Sequence, residues 1–381
     1  MQKITHIIRG DSPGSSTELV CFHFGPSGAS RKVFLQAALH ADEQPGIMVL
    51  HHLLALLQQA EADGLLQARF VLFPMVNPLG MGDIGFRQHQ GRYDRASGVN
   101  FNRNWPDLFK AVGAGLAGQW TADAALNVQR VRAVVGAWLQ QQVPSNALQQ
   151  QRLWVMQEAY DADYVLDLHC DNDALAHIFT IPQSAGEGSV MQSLSDWMGA
   201  AATLTTEDSG GGSFDEVWST LWVRLAAAYP DQPIPLACHS ATLEYRGQFD
   251  VFDDLNRDDA ERLYGFFQEQ GLVGGGLIRS RPPATPLATD LAATEMTRVD
   301  TAGLLAYRVQ LGDMVKKGDV LADLVALSGE GAFIERTPIR SGADGVVISR
   351  NINKYVWSGC SIAKVVGKEK LESRGGYLLE D

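Results

Sequence analysis

The stretch RKVFLQAALHADEQPG, residues 31–46, decides the fold prediction. The apolar run over 31–39 is typical of a buried strand and stops at His40, and Ile, Leu and Val then recur at helical spacing over 46–62. A second near-continuous apolar run, 68–76, is expected of a strand buried on both faces. A strand, a helix and a further strand in this order indicate an α/β domain.

The same alternation continues to about residue 270. Helical patterns are expected at 122–142, 147–160, 189–203, 216–229 and 252–270, and short strands at 17–24, 164–168, 178–181 and 242–245. We therefore predict a three-layer α/β sandwich, a mixed sheet with helices on both faces, that occupies residues 1–284.

After about residue 285 the helical patterns stop, and short alternating stretches separated by Gly and Asp indicate a small β-barrel or β-sandwich domain over 285–367. The last segment, 368–381, is a charged tail that we expect to be frayed. The run from Gly312 to Leu321 resembles a turn of lipoyl and biotinyl carrier domains. A carrier needs a lysine on its hairpin tip, and none occurs between Ala326 and Arg340.

Composition narrows the function classes. A formal charge of −13 over 381 residues argues against binding to a phosphate backbone, so no nucleic acid partner is expected. The four cysteines form no CxxC pair, which argues against a disulfide framework and a Cys-rich zinc module. The sequence shows neither a leader nor an apolar run of about 18 residues, so we predict a cytoplasmic protein without membrane contact.

Two strands are predicted to end in histidine. His40 and Glu43 stand three residues apart in the loop after the first of these strands, and His169 ends the apolar run at 164–168. Two imidazoles and one carboxylate form a ligand set that suits Zn²⁺ and leaves a fourth position open, although Co²⁺ or Mn²⁺ could replace zinc. An HxxE spacing alone is weak support, since a single histidine is more often structural.

Further pieces follow in a specific order: the Asn77-Pro78 turn, the pair Asn102-Arg103 and the segment Thr242-Leu-Glu244-Tyr-Arg. With the HxxE and the strand ending in His169, this order resembles the zinc metallocarboxypeptidase superfamily, in particular its succinylglutamate desuccinylase and aspartoacylase branch. The resemblance covers roughly residues 30–270. It implies that one Zn²⁺ per chain is held by His40, Glu43 and His169.

The resemblance also assigns roles to other residues. Glu244 would act as general base and acid, and Asn102 and Arg103 would grip a substrate carboxylate. An upstream arginine would stabilise the oxyanion; Arg95 is preferred, Arg92 is second, and Arg87 also precedes the pair.

The sequence departs from the family pattern at Asn100, where many carboxypeptidases carry an acid that orients a ligand histidine. Asp42, Asp167 or Asp171 could take that task. Cys170 is expected to be a buried thiol rather than a fourth ligand, because adjacent strand residues point to opposite faces.

The implied activity is hydrolysis of the amide bond of an N-acyl amino acid or a related small amide. A peptide carboxypeptidase shares every motif, and a non-catalytic metal-binding, ligand-binding or carrier protein is the alternative from another class. The C-terminal domain is expected to cover the mouth of the site and restrict substrate size. The sequence leaves open whether the chain forms a homo-oligomer.

Overall fold

A computed structural model describes residues 1–372, 374 and 378. The described residues contain eight α-helices: α1 (Pro45–Ala62), α2 (Pro78–Met81), α3 (Leu108–Val112), α4 (Ala124–Gln140), α5 (Ala147–Ala159), α6 (Val190–Met198), α7 (Phe214–Ala228) and α8 (Asp253–Glu269). The strands of the first 290 residues are β1 (Gln2–Arg9), β2 (Ser16–Phe24), β3 (Lys32–Ala37), β4 (Arg69–Phe73), β5 (Ile84–Gly85), β6 (Gln88–His89), β7 (Tyr164–Asp171), β8 (Asp173–Ala174), β9 (His177–Thr180), β10 (Ala202–Thr205), β11 (His239–Gly247) and β12 (Thr289–Asp290).

Nine of these strands form one mixed sheet, in the order β1-β2-β4-β3-β7-β11-β9-β10-β12. The central strands β4, β3, β7 and β11 run parallel, and β1 and β2 pair antiparallel with their neighbours. β9 is antiparallel to β11 and parallel to β10. β4, in the run predicted to be a strand buried on both faces, is buried beyond Arg69, and β3 and β7 are buried along their whole length.

Two apolar cores cover the faces of this sheet. One contains the buried faces of α1, α6 and α8, and the other those of α3, α4, α5 and α7. Successive residues of β3 serve both cores, because Val33 and Leu35 belong to the first and Phe34 to the second. The predicted mixed α/β fold with a large sheet and helices is therefore confirmed.

Two sequence-based element predictions need correction. The helix expected over 189–203 ends at Met198, because Gly199 adopts a left-handed conformation (φ 66°) and caps it, and residues 202–205 form β10. β1 was not predicted; its alternating exposure reflects its position at the edge of the sheet.

Eight further strands follow in the C-terminal part: β13 (Thr294–Arg298), β14 (Gly303–Tyr307), β15 (Met314–Val315), β16 (Val320–Val325), β17 (Arg336–Arg340), β18 (Gly345–Arg350), β19 (Tyr355–Val356) and β20 (Ser361–Val366). They form two sheets, β13-β20-β18-β15 and β17-β16-β14-β19, around a separate apolar core. The likeness to a carrier domain and the boundary at residue 285 remain predictions; β12, just beyond that boundary, pairs with β10 of the large sheet.

Of the charged tail, residues 373, 375–377 and 379–381 lie outside the described residues. Among the described residues, Lys370 pairs with Asp290 at 2.7 Å. No helix in the described part of the chain is long and apolar enough to span a membrane.

Candidate metal and catalytic site

The loop that follows β3 brings His40 and Glu43 together. The backbone turns sharply at Ala38, which has a φ of 58°, and α1 begins at Pro45. A side chain at Gly46 would come within 2.9 Å of the Cβ of Leu168, so glycine allows the start of α1 to lie directly on the sheet. Nδ1 of His40 lies 2.9 Å from Oε1 of Glu43.

β7 supplies the third residue of the cluster. It lies beside β3 in parallel register, with Ala37 opposite Leu168, so His169 emerges next to the HxxE loop. Nδ1 of His169 lies 2.7 Å from the other oxygen of Glu43, Oε2. The ligand atoms of His40, Glu43 and His169 all lie within 4.8 Å of one another, and all three side chains are buried. This group could hold a metal ion.

The second ring nitrogen of each imidazole, Nε2, also makes a contact. Nε2 of His40 lies 2.8 Å from the amide oxygen of Asn100, and Nε2 of His169 lies 3.0 Å from Oδ2 of Asp167. These contacts leave both Nδ1 atoms facing Glu43, as ligands of a shared ion require. Asn100 therefore occupies the place where the family pattern has an acid, and of the three aspartates considered from sequence only Asp167 contacts a ligand histidine.

The charges of the cluster residues shift one another's pKa values. Burial and the positive charge of Arg92 lower the pKa of His40 to about 4, which keeps this imidazole neutral. Burial raises the pKa of Glu43, but His40 and His169 outweigh it and hold that pKa well below its usual value. Burial lowers the pKa of His169, but Asp167 and Glu43 outweigh it and raise that pKa well above the ordinary value. Glu43 is thus an anion enclosed by nitrogen donors, a setting that fits a divalent cation.

Glu244 lies on the neighbouring strand. β11 pairs in parallel with β7, and Glu244 is directly opposite His169. It lines a cavity of about 380 Å³, and the three cluster residues also line this cavity. Its Oε2 atom is buried and makes no hydrogen bond with any described residue. Burial and the charge of Glu43 raise the pKa of Glu244 to about 8.

Asn102 and Arg103 also line this cavity. The side-chain oxygen of Asn102 accepts a hydrogen bond from the backbone N–H of Phe214 (2.8 Å), and its Nδ2 lies 3.5 Å from Nε2 of His169. Arg103 is buried, and its Nη1 donates to the backbone carbonyl of Asn102 at 2.9 Å.

Arg152 of α5 holds this loop in place, and sequence reasoning missed it. Its guanidinium donates to the carbonyls of Arg103 (2.8 Å), Phe101 (3.2 Å) and Asn104 (3.1 Å) and lies over the ring of Trp105. Burial lowers the pKa of Arg152 to about 10. Because the contacts join residues about 50 positions apart, no local pattern could have revealed them.

The side chains of the candidate oxyanion arginines differ widely in their exposure to solvent. Arg92 lines the cavity, and its Nη1 donates to Oε1 of Glu43 at 2.8 Å and lies 3.3 Å from Nδ1 of His40. The side chain of Arg95 is 78% exposed and pairs with Asp83 at 3.2 Å, outside the cavity lining. Arg87 is also exposed. Arg92 therefore lies beside the cluster, whereas Arg95, the residue preferred from sequence, faces solvent.

The approach of Arg92 depends on Gly91. A side chain there would come within 2.4 Å of the backbone nitrogen of Asp42, and the Gly91 carbonyl accepts a 2.8 Å hydrogen bond from the N–H of Ala41. The loop carrying Arg92 thus lies against the HxxE loop.

The C-terminal part closes one side of the cavity. β18 pairs with β8, and Ile352, Asn353 and Lys364 join the cavity lining. Nζ of Lys364 lies 2.7 Å from Oδ2 of Asp171, which follows the ligand strand's histidine by two residues. The C-terminal domain was predicted to cover the mouth of the site, but none of these lining residues was named from the sequence. Cys170 is a buried thiol, as predicted.

Comparison with known proteins agrees with this architecture. A crystal structure described as a succinylglutamate desuccinylase/aspartoacylase family protein from Shewanella amazonensis superposes with a TM-score of 0.82 at 24% identity, covering 97% of this chain and 99% of the other. A similarly described protein from Shewanella frigidimarina gives 0.82 at 20% identity, covering 96% of both chains. The ectoine utilization protein EutE (DoeB) from Ruegeria pomeroyi gives 0.65 at 18% identity, covering 96% and 94%.

These identities show the fold alone, and no curated protein matches the sequence. The family follows from the sequence itself. Residues 29–213 match the model of the succinylglutamate desuccinylase/aspartoacylase catalytic domain. That range contains His40, Glu43, Asn102, Arg103 and His169. Residues 29–213 of this chain therefore form a catalytic domain of the succinylglutamate desuccinylase/aspartoacylase family.

Proposed function

We propose that this protein is a zinc-dependent hydrolase that cleaves the amide bond of an N-acyl amino acid or a related small amide. The observation that carries the proposal is the single cavity in which the buried group His40, Glu43 and His169 faces the unpartnered carboxylate oxygen of Glu244. Family membership supports a hydrolase of the deacylase type.

The donor set fits zinc. Two imidazole nitrogens and one carboxylate match a three-ligand catalytic site with an open position. The second nitrogen of each imidazole contacts Asn100 or Asp167, which orients the ring. When bound, Zn²⁺ supplies Lewis-acid polarisation of the substrate carbonyl and makes water acidic enough to react near neutral pH.

Glu244 is the proposed general base and acid. Its carboxylate takes a proton from the attacking water, and later delivers that proton to the leaving nitrogen. Burial places its pKa at about 8, and a cation beside it would favour the ionised form needed for the first step. Because Oε2 has no hydrogen bond to any described residue, it is available for this proton.

Two positively charged side chains divide the substrate contacts between them. Arg92, 2.8 Å from Glu43, is placed beside the cluster, where a forked donor can meet the negative charge that develops on the carbonyl oxygen. Arg103, with Asn102, is proposed to bind the carboxylate of the amino acid.

The size of the cavity favours a small substrate over a peptide. Ile352, Asn353 and Lys364 of the C-terminal part limit a volume of about 380 Å³, which matches a small molecule rather than an extended chain. The alternative of a carboxypeptidase shares the same catalytic residues and differs in this restriction. A non-catalytic binding protein would have no use for a glutamate in this cavity whose buried Oε2 makes no hydrogen bond with a described residue.

A substrate panel tests the proposal. Wild type and Glu244→Gln would be assayed with N-acyl amino acids that vary in acyl group and amino acid, and with short peptides that have a free C-terminus. We expect turnover of N-acyl amino acids by wild type alone. Preferred cleavage of peptides would support the carboxypeptidase alternative, and absence of all turnover in zinc-loaded wild type would support the binding protein.

A further inference from the structure

A second group of metal-ligating side chains lies at the opposite edge of the sheet, outside the cavity described above. His6 is on β1, Cys21 and His23 are alternate residues of β2, and Glu158 is near the end of α5. His6 is paired with Leu19 in the hairpin register, so it shares a face with Cys21 and His23. That face carries the hairpin's contacts with α5.

His6, Cys21 and Glu158 offer ligand atoms that all lie within 4.8 Å of one another, and four distances within the group of four residues are close to those of a tetrahedral zinc site. Bond lengths of about 2.0 Å to nitrogen or oxygen and about 2.3 Å to sulfur place neighbouring ligand atoms about 3.3–3.8 Å apart. Sγ of Cys21 lies 3.7 Å from Nε2 of His6 and 3.6 Å from Nε2 of His23. Oε1 of Glu158 lies 3.7 Å from Nε2 of His6, and its other oxygen, Oε2, lies 3.3 Å from Nε2 of His23.

The surroundings hold these side chains in place. Cys21 is fully buried, and the ring of Trp154 stacks on His6 with centroids 4.4 Å apart. Burial raises the pKa of Glu158, but the contacts with His23 and His6 outweigh it and bring that pKa to about 2. His23, 30% exposed, provides the entrance from solvent.

The charges of the group balance a divalent ion. One thiolate and one carboxylate offset the two charges of Zn²⁺, and the two histidines are neutral as ligands. Lys32, whose charge acts on Cys21 and Glu158, is paired with Asp161 at 2.5 Å. Burial and Glu158 raise the pKa of the metal-free Cys21 thiol to about 12, so binding would release its proton to solvent.

We propose that His6, Cys21, His23 and Glu158 bind a second Zn²⁺ ion in a closed, four-coordinate site. With all four positions filled by protein, the ion has no place for substrate and serves a structural role. It clamps the edge hairpin β1–β2 to α5, the helix whose Arg152 holds the Asn102-Arg103 loop.

Cobalt substitution tests this site separately from the catalytic cluster. Co²⁺ bound to a thiolate gives a near-ultraviolet charge-transfer band, and the catalytic ligands His40, Glu43 and His169 contain no sulfur. Metal-free protein titrated with Co²⁺ should bind two equivalents, and one of them should produce the band.

Cys21→Ser should abolish the band, lower the metal content from two equivalents to one and retain hydrolysis. Cys238→Ser, at a buried cysteine outside both groups, is the matched control and should keep the band. If Cys21→Ser fails to fold, His23→Gln replaces the most exposed ligand and should lose the second equivalent on dialysis.

A wild-type protein without the band, or a band that survives Cys21→Ser, would overturn the proposal. Failure of the catalytic proposal gives a different result, in which turnover is absent while the band and its dependence on Cys21 remain.

Discussion

Replacing Arg92 by glutamine tests which arginine serves the reaction. Nη1 of Arg92 is 2.8 Å from Glu43 and 3.3 Å from His40, so its positive charge lies directly beside the proposed metal position. Loss of one preorganised donor to an oxyanion typically lowers kcat by about 10²–10³, or about 2.7–4 kcal/mol of transition-state stabilisation. We expect a decrease of that size for Arg92→Gln.

The assay is steady-state hydrolysis of the best N-acyl amino acid, with metal content measured on the same samples. Metal should remain bound, because both imidazoles and Glu43 are unchanged. Arg95→Gln is the control: this side chain is 78% exposed and its ion pair with Asp83 is a surface contact. Its kcat should stay within about twofold of wild type, as expected for a change remote from the reacting atoms.

Two results would refute this reasoning. One is a kcat for Arg92→Gln close to that of wild type with metal retained. The other is a larger loss for Arg95→Gln than for Arg92→Gln, which would return the role to the residue that the sequence favoured.

Other substitutions probe the support of the site. Asp167→Asn should weaken metal binding about 10–100-fold in a chelator competition, because Asp167 lies 3.0 Å from His169; unchanged affinity would contradict its role. The pKa of Glu216 is raised to about 7 by burial and Asp215, so its contribution to folding stability should fall as pH rises from about 4.5 to 7. Urea unfolding of Glu216→Gln should show a smaller loss of stability over this pH range than wild type, whereas the exposed Glu187→Gln should match wild type; identical profiles would exclude the assignment. Ile352→Ala should widen the cavity and lower KM for bulkier amides, and an unchanged substrate profile would remove the C-terminal part from specificity.

The linkage sign for Glu216 follows from proton counting. Its folded pKa of about 7 lies above the ordinary value of 4.5, so between these values the folded protein binds more protons than the unfolded chain. Stability from this group is therefore complete below about pH 4.5 and is lost as pH rises through 7.

The sequence was sufficient for elements whose signal is local. β3 and β7 are apolar runs that end at or near a chemically informative residue, and the short predicted strand in β11 contains Glu244. Parallel neighbours bring such residues to one edge of a sheet. His40, His169 and Glu244 consequently lie together, as their order along the chain predicted.

Features that depend on the direction of a loop or on packing between distant segments could not be predicted from the sequence. The spacing of Arg92 and Arg95 does not reveal that Gly91 draws one towards Asp42 while the other faces solvent. Lys364 reaches the cavity only because β18 pairs with β8.

Some side-chain contacts also could not be inferred without the three-dimensional structure. Asn100 was recognised as a departure from the family pattern, but its contact with His40 could not be inferred from its type. The group of Cys21, His23 and Glu158 combines a strand spacing with a helix residue more than 130 positions away, and no short pattern records it.

Metal content and turnover, measured together for Glu244→Gln and Glu43→Gln, test the central claim most directly. Glu244→Gln should keep the full wild-type metal content and lose about 10²–10⁴ in kcat, because only the proton-transfer group is removed. Glu43→Gln should lose the equivalent of zinc held with His40 and His169, and turnover with it. An active Glu244→Gln, or a Glu43→Gln that keeps its full metal content, would contradict the site and mechanism assigned to this cavity.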